Sequence, residues 1–147
     1  MAYTITRKFE FDAGHRVYQH ESKCAHIHGH RYVVELECEG NLDSLGRVVD
    51  FSVLKSICGK WVDDNLDHGM ILFIEDPLTS YWSCGFADNK KRLVDHHKYY
   101  VMDKNPTAEN IAQLLFYKFT ELISHLGIKV VSVVVQETPN CRAKFSC

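Results

Sequence analysis

The residue types best suited to chemistry in this 147-residue chain are nine histidines and six cysteines. The run His28-Gly29-His30 opens a stretch that alternates apolar and polar residues. Period two puts both imidazoles on one face of a strand, about 7 Å apart. That face is the apolar one, shared with Tyr32 and Val34. Gly29 between them removes a side chain and admits a close backbone or ligand. His15 ends an earlier alternating stretch with the parity of Phe9 and Phe11, so pairing of the two strands would bring it beside the other two. A single histidine on such a face would read as a hydrogen-bonded core or surface residue. Three converging imidazoles with an open fourth position read as a catalytic zinc site, because structural zinc is usually four-liganded. Three imidazoles also suit other divalent ions.

Cys24 lies four residues before His28. A thiol beside a cation loses its proton readily and can act as nucleophile or base. It could equally be a fourth metal ligand, and His26 competes for either role. In Asp67-His68 a carboxylate adjoins an imidazole that it can orient and make more basic; a polar helix end is the plainer reading. Glu137 shares the parity of Val131, Val133 and Val135. A carboxylate closing an apolar face suits a pocket with a specific donor to bind, or a strand end turning to solvent.

The elements that must position these groups can be read from periodicity. Tyr3 to Phe11 and His30 to Glu39 alternate as strands, and Gly40-Asn41 ends the second. Asp50 and Ser52 are candidate caps for a helix carrying Val53, Leu54, Ile57, Trp61, Val62 and Leu66. Thr107, just after Pro106, is a candidate cap for a helix with Ile111, Leu114, Leu115, Phe119, Leu122, Ile123 and Leu126 on one face, and Gly127 suits its end. Lys129 to Glu137 is β-branched, Thr138-Pro139-Asn140 turns, and Arg142 to Ser146 can return as a hairpin. The order strand, strand, helix, helix, strand, strand without βαβ alternation predicts an α+β fold, an antiparallel sheet with two helices on one face. Residues 73–104 fit neither period and read as a long excursion, a candidate lid.

Composition narrows the function classes. Apolar residues make up 46% and charged residues 24%, with a formal net charge of −2. That mix excludes wholesale disorder and argues against a protein that coats nucleic acid or an anionic membrane. No stretch is long enough to span a bilayer and no leader is read at the start, so a cytoplasmic location is expected. No two cysteines are spaced Cys-x-x-Cys, and free thiols rather than disulfides are expected.

With these residues in view, the chain resembles the 6-pyruvoyltetrahydropterin synthase / 6-carboxytetrahydropterin synthase (QueD-type) family over nearly its whole length. The resemblance rests on Phe11-Asp12-Ala13-Gly14-His15-Arg16, Cys24-x-x-x-His28-Gly29-His30, Val49-Asp50-Phe51-x-x-Leu54-Lys55, Leu66-Asp67-His68, Asn105-Pro106-Thr107-x-Glu109-Asn110 and Glu137-Thr138. It implies the T-fold: a four-stranded antiparallel sheet with two helices on one face, in one domain over 1–147 with an insertion at about 73–104. Subunits would form a barrel, trimer-based and commonly hexameric, with active sites between them. By the resemblance, His15, His28 and His30 bind Zn2+, and Cys24 is the catalytic thiol. Asp67 and His68 relay a proton, from a neighbouring subunit, and Glu137 holds the pterin edge in a pocket that Thr107 helps line. The implied substrate is 7,8-dihydroneopterin triphosphate, and Arg16, Lys23 and Arg142 are candidate cations for its triphosphate.

The spacing Cys-x-x-x-His-Gly-His is similar to the 6-carboxytetrahydropterin branch, on the route to queuosine and other 7-deazaguanines, with acetaldehyde and triphosphate released. The alternatives are a 6-pyruvoyltetrahydropterin synthase, a sepiapterin-cleaving variant, and a non-catalytic T-fold that binds a pterin or purine. Between His68 and Asn105 the chain departs from the family pattern: Trp82, Cys84 and Asp95-His96-His97 have no counterpart there. The Asp-His-His run reads as a solvated loop before it reads as a second metal site.

Overall fold

The structure, a computed structural model, describes residues 3–79 and 97–147. Strand β1 (Tyr3–His15) and strand β2 (His28–Gly40) form a long antiparallel pair in which Phe9 faces Val34, Phe11 faces Tyr32 and His15 faces His28. Their alternation buries Phe9, Phe11, Ala13 and His15 from one strand and Tyr32, Val34, Leu36 and Cys38 from the other. The second face carries Lys8, Glu10, Asp12, Arg31 and Glu35, with Arg31 paired to Glu10 and Asp12. Arg7 lies opposite Leu36 in the register.

Helix α1 runs from Phe51–Leu54 through a π-helical turn at Lys55–Gly59 into Lys60–Asn65. Asp50 is its cap, accepting from the Ser52 N–H at 2.8 Å, as its residue type and place suggested. Helix α2 (Ala108–Ile123) is capped by Thr107, whose Oγ1 accepts from the Asn110 N–H at 3.2 Å. A short 3-10 turn (Ser124–Leu126) follows, and Gly127 at φ +70° closes the end in the left-handed region that glycine adopts without penalty. Leu54, Cys58 and Val62 of α1 and Ile111, Leu115 and Phe119 of α2 join one core with the buried strand residues, so both helices lie on the same face of the sheet.

The expected four-stranded antiparallel sheet is corrected in both number and direction. The sheet has six strands in the order β4-β3-β1-β2-β5-β6, with β3 (Gly69–Phe73), β4 (Tyr99–Met102), β5 (Lys129–Thr138) and β6 (Cys141–Ser146). β3 lies parallel to β1 and to β4; the other pairings are antiparallel. β3 escapes a period-two reading because Met70, Ile71 and Leu72 are all buried, which leaves no polar face to alternate with. β4 has four residues and falls inside the segment expected to be an excursion. Trp82, Cys84, Asp95 and His96 lie outside the described residues. Among the described residues, no helix is long and apolar enough to cross a membrane.

Candidate active site

The paired ends of β1 and β2 bring the three predicted histidines together. The His15 and His28 ring centroids are 4.5 Å apart, and each lies 5.0 Å from that of His30. One ring nitrogen from each falls within 4.8 Å of the others. Gly29 makes this possible: a Cβ there would sit 3.0 Å from the Ala13 carbonyl oxygen of the facing strand.

The nitrogens left free are the ones a metal would need. His15 Nδ1 lies 2.7 Å from the Pro106 carbonyl and His28 Nδ1 lies 2.7 Å from the His26 carbonyl. A carbonyl only accepts, so both Nδ1 atoms carry the proton and both Nε2 atoms present lone pairs. These two Nε2 atoms face each other at 3.0 Å. Lone pairs that close repel unless a cation or proton lies between them. Burial, with the nearby His28 and His30, outweighs the Pro106 hydrogen bond and lowers His15 to about 4. Burial, then His28, also lowers His30. The donor set therefore fits a divalent cation bound by three neutral imidazoles.

These rings form part of the wall of a cavity of about 670 Å³ that Cys24, Thr107, Glu109, Glu137, Lys23 and Arg142 also line. The Cys24 thiol is free and half-buried, on the 3-10 turn Lys23–Ala25. Glu137 lies at an irregularity in the β5–β6 pairing, and its Oε1 is 3.9 Å from His15 Nε2. Burial first, then the charge of Glu109, raises the Glu137 carboxyl above its ordinary value, with His28 pulling the other way. Tyr32 is fully buried against the cluster, its ring centroid 5.5 Å from that of His30, and its hydroxyl has no hydrogen-bond partner among the described residues.

The structure does not bring Asp67 and His68 into this cavity. They follow α1 and flank a separate, shallow hollow lined by Ile27, His28, Gly29, His30 and His68. His68 Nδ1 lies 2.8 Å from Asp67 Oδ2, and Asp67 Oδ1 accepts from the Asp12 N–H at 3.0 Å. The His68 backbone sits at φ +60°, and its side chain is 77% exposed. Arg16 is diverted as well. It forms a bidentate pair with the Asp76 carboxylate, whose side chain is fully buried, with Nε to Oδ2 at 2.7 Å. Lys23 and Arg142 line the cavity, with Arg142 Nη1 3.9 Å from Glu35 Oε2.

Three features carried no assigned role in the sequence reading. Glu109 faces the cavity beside Glu137. The Pro106 carbonyl orients His15. Asn105 binds the backbone of Tyr18 through both ends of its amide, at 2.8 and 3.2 Å, and so fixes the loop after His15 against the loop that supplies Pro106. The Asn-Pro-Thr-x-Glu-Asn run was the available signal, but a backbone acceptor leaves no trace in residue type.

The profile of the 6-pyruvoyl tetrahydropterin synthase family matches residues 4–147. This chain belongs to that family. Within it, the chain is similar to a 6-carboxy-5,6,7,8-tetrahydropterin synthase from Rickettsia conorii, with 41% identity over 138 residues, 92% of this chain and 94% of the relative. An uncharacterised protein from Wolinella succinogenes superposes with a TM-score of 0.85 at 29% identity, covering 99% of this chain and 98% of that one. The Caenorhabditis elegans 6-pyruvoyl tetrahydropterin synthase has a TM-score of 0.69 at 22% identity, covering 100% and 96%, and shares the fold. The family's T-fold is thus present here with a six-stranded mixed sheet.

Proposed function

We propose that this chain is a zinc-dependent 6-carboxy-5,6,7,8-tetrahydropterin synthase, a carbon–carbon lyase acting in the cytoplasm. It would convert 7,8-dihydroneopterin triphosphate and water to 6-carboxytetrahydropterin, with release of acetaldehyde and triphosphate, on the route to 7-deazaguanines. The observation that carries this reading is the three-imidazole cluster sharing one cavity with a free thiol and a carboxylate. The relative named for that activity, at 41% identity, supports the choice of product.

His15, His28 and His30 would hold the metal through the nitrogens described above. Bound zinc supplies a Lewis acid that polarises the side-chain oxygens of the substrate. Glu137 accepts hydrogen bonds, and the two-donor edge of a pterin, an amino group beside a ring N–H, matches its two oxygens. Glu109 and Thr107 border the same end of the cavity. Cys24 would take and return protons at the substrate side chain. Lys23 and Arg142 face the triphosphate. Asp67 fixes His68 as a proton relay that reaches outward from its own chain, so a second copy would receive it. An oligomer with sites between copies, trimer-based and hexameric, is part of the same proposal, and the outward aim of the exposed His68 supports it.

The experiment is incubation of the metal-loaded protein with 7,8-dihydroneopterin triphosphate, with and without chelator, reading products by mass. The 6-carboxy product, lost on chelation, is expected. The family profile bears the pyruvoyl name, so 6-pyruvoyltetrahydropterin as the end product would assign the chain to that second reading. Binding of the pterin without turnover would make it a non-catalytic pterin protein.

A further inference from the structure

The Asp67–His68 pair must hold one geometry while standing in solvent. On one side Asp12 of β1 holds it, giving its N–H to Asp67 Oδ1 and accepting from the His68 N–H at 2.6 Å. On the other side stands Lys98, just before β4. Its Nζ donates to the Asp67 carbonyl at 2.5 Å and also to the Asp63 carbonyl. Its own carbonyl accepts from the Met70 N–H at 3.1 Å. Its stem lies over Gly69, where a Cβ would meet Lys98 Cγ at 3.2 Å. One ammonium thus gathers carbonyls left open at the end of α1, where a cation also opposes the helix dipole. The residue between those bonds and β3 is His68, held in the left-handed region that a non-glycine residue adopts only under outside constraint.

We propose that Lys98 is a positioning residue for the Asp67–His68 pair, coupling the start of β4 to the aim of the His68 imidazole. This rests on the assignment of His68 as a proton relay, though the positioning itself does not. The charge of Lys98 acts in the same direction: burial raises Asp67, but the Asp12 and His68 hydrogen bonds, with the charges of His68 and Lys98, outweigh it and keep the carboxyl below its ordinary range. An ionised Asp67 is the acceptor that His68 Nδ1–H needs.

The test compares zinc-loaded wild type with Lys98→Met, which keeps the stem and removes the donors, and with Lys98→Arg, which keeps donors and charge. Lys98→Met should lower kcat about tenfold or more through misplacement of a group remote from the substitution. KM should stay within about twofold, because substrate-binding groups are untouched, and zinc content should not change. The ring 15N spectrum of His68 should pass from a fixed Nδ1–H tautomer to an averaged one. Lys98→Arg should recover most of both signals. A Lys98→Met variant with wild-type kcat, or with a lower melting temperature but an unchanged His68 spectrum, overturns the proposal; a rise in KM alone would make Lys98 a substrate ligand and overturns it too. If wild type does not turn over the pterin triphosphate, the functional reading fails, while the spectrum still decides whether Lys98 positions His68.

Discussion

Two histidine sites on this chain are built in opposite ways. His15, His28 and His30 converge within one chain, with His15 only 2% exposed and its proton position set by a backbone carbonyl. His68 is 77% exposed, and its acidic partner is tied to the backbone of β1. The first site is complete where it stands, because antiparallel register brings two strand ends together. The second points away from the cavity of its own chain. The difference teaches that, on our reading, binding of a metal belongs to one copy and proton delivery to the contact between two.

The largest effect should come from the metal cluster. His30→Ala should lose bound zinc, measured by elemental analysis, and kcat should fall on the order of 10⁴-fold, several kcal/mol of lost Lewis-acid stabilisation. Retained zinc at full affinity would break the assignment. Cys24→Ala should keep its zinc and lose about 10²–10³ in kcat, the range for one proton-transfer group. Loss of zinc would make Cys24 a ligand and the site four-coordinate.

The contrast between the sites has its own test. His68→Ala and Cys24→Ala copies, each inactive, should regain roughly a quarter of wild-type activity when dissociated together and reassembled, since each site then draws on two copies. No recovery in a mixed oligomer would mean that Asp67 and His68 serve their own cavity.

Stability against pH sharpens the difference further. His15 is lowered to about 4 by burial, so its neutral form belongs to the folded state. That contribution is complete above the ordinary value of 6.5 and is lost as pH falls from there toward 4. The metal-free protein should therefore melt at progressively lower temperature across this window, and His15→Gln should flatten the curve. Equal slopes in the two proteins would contradict it. The smallest effect is expected at Tyr32, whose buried hydroxyl has no partner among the described residues. Tyr32→Phe should raise stability by about 1 kcal/mol, because an unsatisfied buried donor costs about that much or more; a lower midpoint in urea would show that the hydroxyl is satisfied after all.

Much of this architecture was legible in residue order. The alternation of β1 and β2, the caps at Asp50 and Thr107 and the stop at Gly127 are local chemistry, so the sequence shows them directly. The histidine cluster was legible because period two fixes which side chains share a face. β3 was not: a strand buried along Met70, Ile71 and Leu72 has no polar face to reveal its period. Arg16 misled for a related reason. It was a candidate for the triphosphate that the resemblance implies, yet Asp76, sixty residues away, is the anion it meets.

The sequence alone determined the donor types, their parity along each strand and the motifs that mark the family, since these depend on neighbours a few residues apart. Only the tertiary structure decided which groups share the cavity, which carbonyl orients His15, and that His68 looks away from it. Those outcomes depend on the register between strands and on bonds such as that from Lys98 to the Asp67 carbonyl, contacts between distant segments that local pattern does not encode.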